Sequence, residues 1–334
     1  MKITKELLKE KGACAAGYRD FLKEYPVDKY PDGVEYQELL DCCAEKDFSY
    51  GSWLLGAFGK TDEVRKIDGD LIVEKGIIFA GRLEVKGCIK AGGGIEAGWG
   101  IDVGGGIEAG NGIKAGNGIK AGLGIKAGLG IKAGDGIEAG WGIDVGGGIE
   151  AGFGIKADES IRAGLGIKAG YGIEAGWGIE AGGGIEAGWG IDVGGVIEAG
   201  NGIKAGNGIK AGLGIKAGYG IEAGWGIDVG GVIEAGNGIK AGLGIKAGLG
   251  IKAGWGIDAG NGIKAGNGIK AGLGIKAGWS IRAGDGIEAG DEFGIYAGLH
   301  FRITNKTQRK IIAKNRPENI MCGEFEEKKD DAVR

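Results

Sequence analysis

Histidine and proline are nearly missing from this chain, and its repeats contain no threonine at all. One histidine and three prolines stand against 81 glycines in 334 residues. So much glycine with so little proline is far from ordinary usage, and it points to collagen, disorder or a repeat array. Collagen needs glycine at every third position, whereas the recurring unit Ile-Lys-Ala-Gly-x-Gly spaces its glycines alternately by two and four. Disorder fits no better, because every unit keeps an isoleucine and usually an alanine in fixed places. A fixed short period means a solenoid. Charge of one sign is missing too: 41 basic against 45 acidic residues give a net charge of -4, with no field that would draw nucleic acid. No apolar run approaches the ~18 residues of a membrane span, so no membrane contact is expected. The cysteines (Cys14, Cys42, Cys43, Cys88 and Cys322) are odd in number and lack Cys-x-x-Cys spacing. Without a secretory-type N-terminus, they read as reduced thiols of a cytoplasmic protein.

The same scarcity removes most chemistry. The single histidine, His300 in "AGLHFRI", falls beyond the last regular repeat, where a lone imidazole reads as structural. The cysteines are scattered, and the aspartates alternate with lysine-bearing units instead of forming calcium-binding Gly-Asp repeats. The Gly-x-Gly strings lack the Lys-Ser/Thr of a phosphate loop, and ice binding would need flat ranks of threonine. The expectation is no enzyme, no metal and no cofactor.

What is present falls into four stretches. Residues 1–60 carry apolar residues at helical spacing in "ITKELLKEK", "AGYRDFLKEY", "VEYQELLDCCAEKD" and "SYGSWLLGAFG". They form a small helical domain that leans on the adjoining repeats. Residues 61–290 hold the six-residue repeats, whose lead position runs from Leu71 to Ile287 without a register slip. Residues 291–325 read as a strand-rich C-terminal cap, and residues 326–334 as a loose tail.

Within a unit, Ile and Ala fall on one face of a short strand and the charged residue on the other. Gly-x-Gly then makes a corner, with glycine expected there for backbone angles that other residues avoid. The charged letter sets the number of units per coil. From Lys90 to Glu288 its sign is opposite in 25 of 31 pairs three units apart, against 11 of 33 one unit apart. Stacked side chains in a parallel sheet prefer opposite charges, so three units, eighteen residues, make a coil. The expected fold is mainly β: a single-stranded parallel β-solenoid, triangular in section, behind a small N-terminal α-helical domain. About twelve coils at ~4.8 Å would give a rod of roughly 60 Å.

Strands punctuated this way, "IKAG" and "IEAG", resemble those of hexapeptide-repeat β-helix proteins and of bactofilins. The resemblance implies a triangular solenoid, and in bactofilins end-to-end polymerisation. Ala follows the aliphatic residue here, where the hexapeptide acyltransferases place a small residue two positions before it, and extra sequence flanks both ends of the repeats. The opening "ITKELLKEKGACAAGYRDFLKEY" and "DFSYGSWLLGAF" are similar to a short helical module of phage and prophage proteins, which implies a partner in the host, such as a defence protein.

Seven of the eight tryptophans occupy the variable corner position: Trp99, Trp141, Trp177, Trp189, Trp225, Trp255 and Trp279. Their spacing does not make one unbroken row. Exposed aromatics favour interfaces, so these residues are candidate partner contacts, against the plainer reading that they cover their neighbours. The motif "WGIDVGG" at residues 99, 141, 189 and 225 replaces Ala by Val, with the extra bulk offset by Gly at the next corner. Arg162 and Arg282, in "ADESIRAG" and "WSIRAGDG", are candidates for bidentate contacts. The function these features suggest is a non-catalytic binding scaffold for a protein partner or a second copy, with homo-oligomers possible. The alternatives are a bactofilin-like polymer, then a carbohydrate-binding fibre or an acyltransferase.

Overall fold

The computed structural model describes residues 1–291, 293–299 and 306–328, and divides into two compact units, Met1–Gly140 and Trp141–Arg334. Both contain the expected architecture, a parallel β-solenoid with eighteen residues per coil.

The leading unit begins with four helices: α1 (Lys5–Glu10), α2 (Ala15–Glu24), α3 (Tyr36–Lys46) and α4 (Phe48–Phe58). Local chemistry starts them. Thr4 Oγ1 accepts the amide of Leu7 ahead of α1, and Asp47 accepts that of Ser49 ahead of α4. Gly59, with φ of 81°, ends α4. Leu8, Phe21, Leu39, Leu40 and Leu54 form the module's core, and Ile78 and Ala80 from the first coils belong to the same cluster. Gln37 ties the two together, donating to Ile78 O at 2.7 Å and accepting from Ala80 N at 3.1 Å. The helical domain thus borrows part of its core from the solenoid.

Glu96 shows the effect of that docking. Its strand, Ile95–Ala97, should point it to water, yet it is only 3% exposed. Ser52 of α4 donates to its carboxylate, and Lys114, one coil on, lies 2.5 Å away. A buried carboxylate that loses its cation is costly. Lys114→Met should therefore lower stability by about 2 kcal/mol, read as a shift in urea midpoint, whereas Lys90→Met on an exposed pair should barely register.

The coils open one unit earlier than Leu71. Val64–Ile67 pairs in parallel with Arg82–Val85, placing Arg65 in the lead position against Leu83. Leu71–Val73 and Ile77–Phe79 begin the other two sheets, on Ile89–Ala91 and Ile95–Ala97. In each regular strand the lead Ile and the Ala are buried, and outside Ile95–Ala97 the middle residue faces out. Burial of one isoleucine contributes about 1.5–3 kcal/mol, repeated at every strand.

In the trailing unit three faces run in parallel. The first extends from Ile143–Val145 to Ile287–Glu288, and the second from Ile149–Ala151 to Ile275–Ala277. The third runs from Ile155–Ala157 to Ile281–Arg282. The strand-rich C-terminal segment adds to these sheets in the same parallel sense. Ile295–Ala297 and then Ile320–Cys322 continue the second face. Lys310–Ala313 and then Glu324–Glu327 continue the third. Glu326 and Glu327, expected in the loose tail, belong to that last strand, where Lys310 pairs with Glu326. His300 and residues 329–334 lie outside the described residues.

The expected role of the repeat glycines needs correction. Among the described residues the only glycines with positive φ are Gly12, Gly33, Gly59, Gly298 and Gly323, none of them in a regular unit. The glycine after Ala is favoured by close approach instead, although Asp158 takes that place in one unit. A Cβ on Gly206 would run into the carbonyl oxygen of Gly188, one coil earlier, and the same collision recurs at Gly200, Gly212 and Gly218. The second glycine has room: a Cβ on Gly208 would sit 3.4 Å from Gly226 O. Ser160, Val196, Val232 and Ser280 occupy that second position in other units. In "IDVGG" the corner glycine also becomes obligatory, because Gly195 and Gly231 lie directly against the carbonyls of Trp177 and Leu213.

Candidate binding surface

The outward charges form ladders. Across the coils of the trailing unit Arg162 meets Glu180 at 3.1 Å, Lys216 meets Glu198 at 3.2 Å, Lys210 meets Asp192 at 3.6 Å and Lys246 meets Asp228 at 3.2 Å. Each exposed pair contributes less than about 1 kcal/mol. Collectively they oppose a slip by one coil, which would stack like on like. On the second face the signs alternate from Glu150 and Lys168 through Asp258 and Lys276. The third face departs from this rule, with Glu174 beside Asp192, and Lys246 beside Lys264 beside Arg282, and so does the first, with Glu180 beside Glu198 and Lys252 beside Lys270. Such contacts cost stability within the chain.

The corner that precedes the third face carries the largest apolar side chains. At eighteen-residue steps it presents Phe153, Tyr171, Trp189, Asn207, Trp225, Leu243, Asn261 and Trp279. The backbone of this edge is itself a hydrogen-bonded column: Trp189 N donates to Tyr171 O at 2.8 Å, Asn207 N to Trp189 O at 2.7 Å and Leu243 N to Trp225 O at 2.7 Å. The rings follow the column. Phe153 and Tyr171 are 6.0 Å apart between centroids, and Tyr171 stacks on Trp189 at 5.1 Å with an angle of 14°. Between the rings and the charged row lies an open groove of about 990 Å³ floored by glycine and isoleucine backbone. It is walled by Tyr171, Trp189, Trp225 and Leu243 on one side and the Glu174-to-Arg282 row on the other.

The tryptophans singled out by residue type thus separate. Trp189, Trp225 and Trp279 share this edge, with Trp279 the least exposed at 37%. Trp141 and Trp177 stand on the edge before the first face, with Glu159 between them, and Trp177 is the most exposed at 69%. Trp255 stands on the remaining edge after Asn237. Trp99, in the leading unit, is drawn into the fold: its indole N–H donates to Thr61 O at 2.9 Å and Lys60 lies 3.1 Å above its ring. Arg162 makes a single Nε contact to Glu180 and no bidentate fork, because both side chains rise from neighbouring strands of one ladder. Arg282 has no ion-pair partner among the described residues. Phe153 and Tyr171 were not singled out by residue type; reading the corner letters at the eighteen-residue period places them in the row.

A second hollow, of about 550 Å³, lies among the helices and is lined by Tyr25, Cys42, Cys43, Tyr50 and Trp53. Burial pushes the Cys43 thiol up to about 12 and also raises the Tyr25 hydroxyl. A thiol held protonated is a poor nucleophile. Iodoacetamide at mildly alkaline pH should therefore modify the exposed Cys14 and Cys88 at least about 100-fold faster than Cys43, as read by peptide mass spectrometry. Among the described residues no group of His, Cys, Asp or Glu is placed to hold a metal ion, and no helix is long and apolar enough to cross a membrane. No family model, curated protein or solved structure matches this chain.

Proposed function

We propose that the chain is a non-catalytic binding scaffold, a stiff solenoid that offers a preformed surface to a protein partner or to a second copy. The observation that supports this is the aromatic edge of the trailing unit. Monomeric proteins rarely leave so many large apolar side chains clustered in water, and Trp and Tyr are the side chains that dominate interface energetics. Here they project at ~4.8 Å steps from backbone bonded to the coils on either side, so a partner has little ordering to impose. Given the likeness of the helical module to phage and prophage proteins, a host protein such as a defence protein is the partner class to test first.

The test compares the full chain with a Trp189→Ala/Trp225→Ala variant, each immobilised and exposed to extract of the cells that express it. Loss of captured protein in that variant, with Trp141→Ala/Trp177→Ala retaining it, is the expected result. Equal capture by both variants would remove the edge from the reading.

A second reading, a bactofilin-like polymer, is favoured by the opening strands of the leading unit. Val64–Ile67 and Leu71–Val73 are the first strands of their sheets, each paired on one side only. Such edges invite strand addition. Mass that grows without limit as concentration rises, measured by light scattering, would place this reading first; a discrete mass removes it.

A further inference from the structure

We infer that two copies of this chain pair antiparallel through the third face of the trailing unit, around a two-fold axis between the coils of Lys210 and Asp228. The inference rests on the scaffold reading and names the occupant of its aromatic edge.

Charges that break the ladder rule lie on the first and third faces, and the third is the one that borders the aromatic edge and its groove. Along the groove the third face reads Glu174, Asp192, Lys210, Asp228, Lys246, Lys264 and Arg282, acidic at one end and basic at the other. Within the chain the like-charged neighbours oppose folding. Against a second copy the same order becomes complementary. With the axis placed as stated, Glu174 faces Lys264, Asp192 faces Lys246 and Lys210 faces Asp228, and symmetry makes each contact twice. Only the outermost pair, Lys156 against Arg282, is alike. Moving the axis by half a coil either way sets Lys210 over its own copy or Asp228 over its own copy. A parallel, in-register pair would oppose every charge to itself. On this face the charges therefore favour this register over its half-coil neighbours.

The edge fits the same operation. A two-fold axis in the plane of the face, perpendicular to the solenoid axis, lays the corner row of one copy along that of the other. Trp189 then meets Leu243, Phe153 meets Trp279, Tyr171 meets Asn261 and Asn207 meets Trp225. No ring faces a charge. The six coils from Tyr171 to Lys264 make a strip about 29 Å long at ~4.8 Å per coil, a length suited to a standard interface of about 800 Å² per partner.

The experiment is light scattering on the full chain across a concentration series, with two charge reversals. Wild type should approach twice the monomer mass of 33.9 kDa. Asp192→Lys relieves Glu174 while opposing Lys210, and Lys246→Asp relieves Lys264 while opposing Asp228. Neither should therefore move the thermal midpoint much. Each alone puts two like-charged contacts into the symmetric pair, which should weaken it at least about 100-fold. Mixed together, the two variants restore opposite charges at both positions and should give a mixed dimer. Wild type that stays monomeric at every concentration overturns the inference, and leaves the scaffold reading to stand on edge-dependent capture of another protein. Dimers in either variant alone, or none in the mixture, also overturn it by placing self-association on a different surface.

Discussion

Gly206→Ala should unfold the coils around it, whereas Gly208→Ala, two residues later, should be nearly silent. The two glycines belong to the same corner and neither has a positive φ, so a turn-angle role would predict similar effects. The difference lies in what each faces. Gly206 N donates to Ala187 O at 3.0 Å, and that bond draws its Cα against the carbonyl of Gly188. An added methyl must push the coils apart and stretch the ladder on both sides. Overpacking of this kind costs about 3 kcal/mol or more when the obstacle is backbone. At Gly208 the added carbon meets Gly226 O at 3.4 Å, an ordinary contact, and the lost freedom of the unfolded chain returns up to about 1 kcal/mol. Urea midpoints of the two variants decide the matter. Equal shifts would restore the turn-angle account.

Ile191→Ala is the second large effect expected. Ile191 is 1% exposed and stacks in register between Ile173 and Ile209. Removing its side chain from a core this narrow should cost about 2–5 kcal/mol, because strands held by ladders above and below cannot collapse into the gap. In a repeat array each coil contacts only its neighbours, so the loss is local. Amide exchange should rise most in the coils from Ile173 to Ala211 and fade with distance along the unit. Lys210→Ala, on the outer side of the same sheet, should change stability by less than about 0.5 kcal/mol. A uniform rise in exchange along the whole unit would instead mean that the coils unfold as one block.

Both variants probe a fold that is legible in the order of its residues, because each level of the sequence agrees with the next. The alternation of Ile and Ala with a charged residue marks the strands. The sign of that residue three units on, as in Glu186 against Lys204 or Asp192 against Lys210, marks the eighteen-residue coil, and the registers agree with it. The candidate surface was less legible. Picking tryptophans by type gathered residues from different edges and units, and passed over Phe153 and Tyr171.

The sequence by itself determined the strand, the coil length, the buried Ile and Ala ranks and the small helical domain, because all four depend on periods short enough to count. Only the tertiary structure decided why the first glycine lies so close to the coil before it, why Glu96 is buried while its counterparts face water, and which aromatic rings form a row. Those outcomes depend on which atoms lie against each other one coil away, or beneath a docked helix. A spacing of eighteen residues brings two positions together, but the room left between them, as at Gly206 and Gly208, is set by the packed backbone.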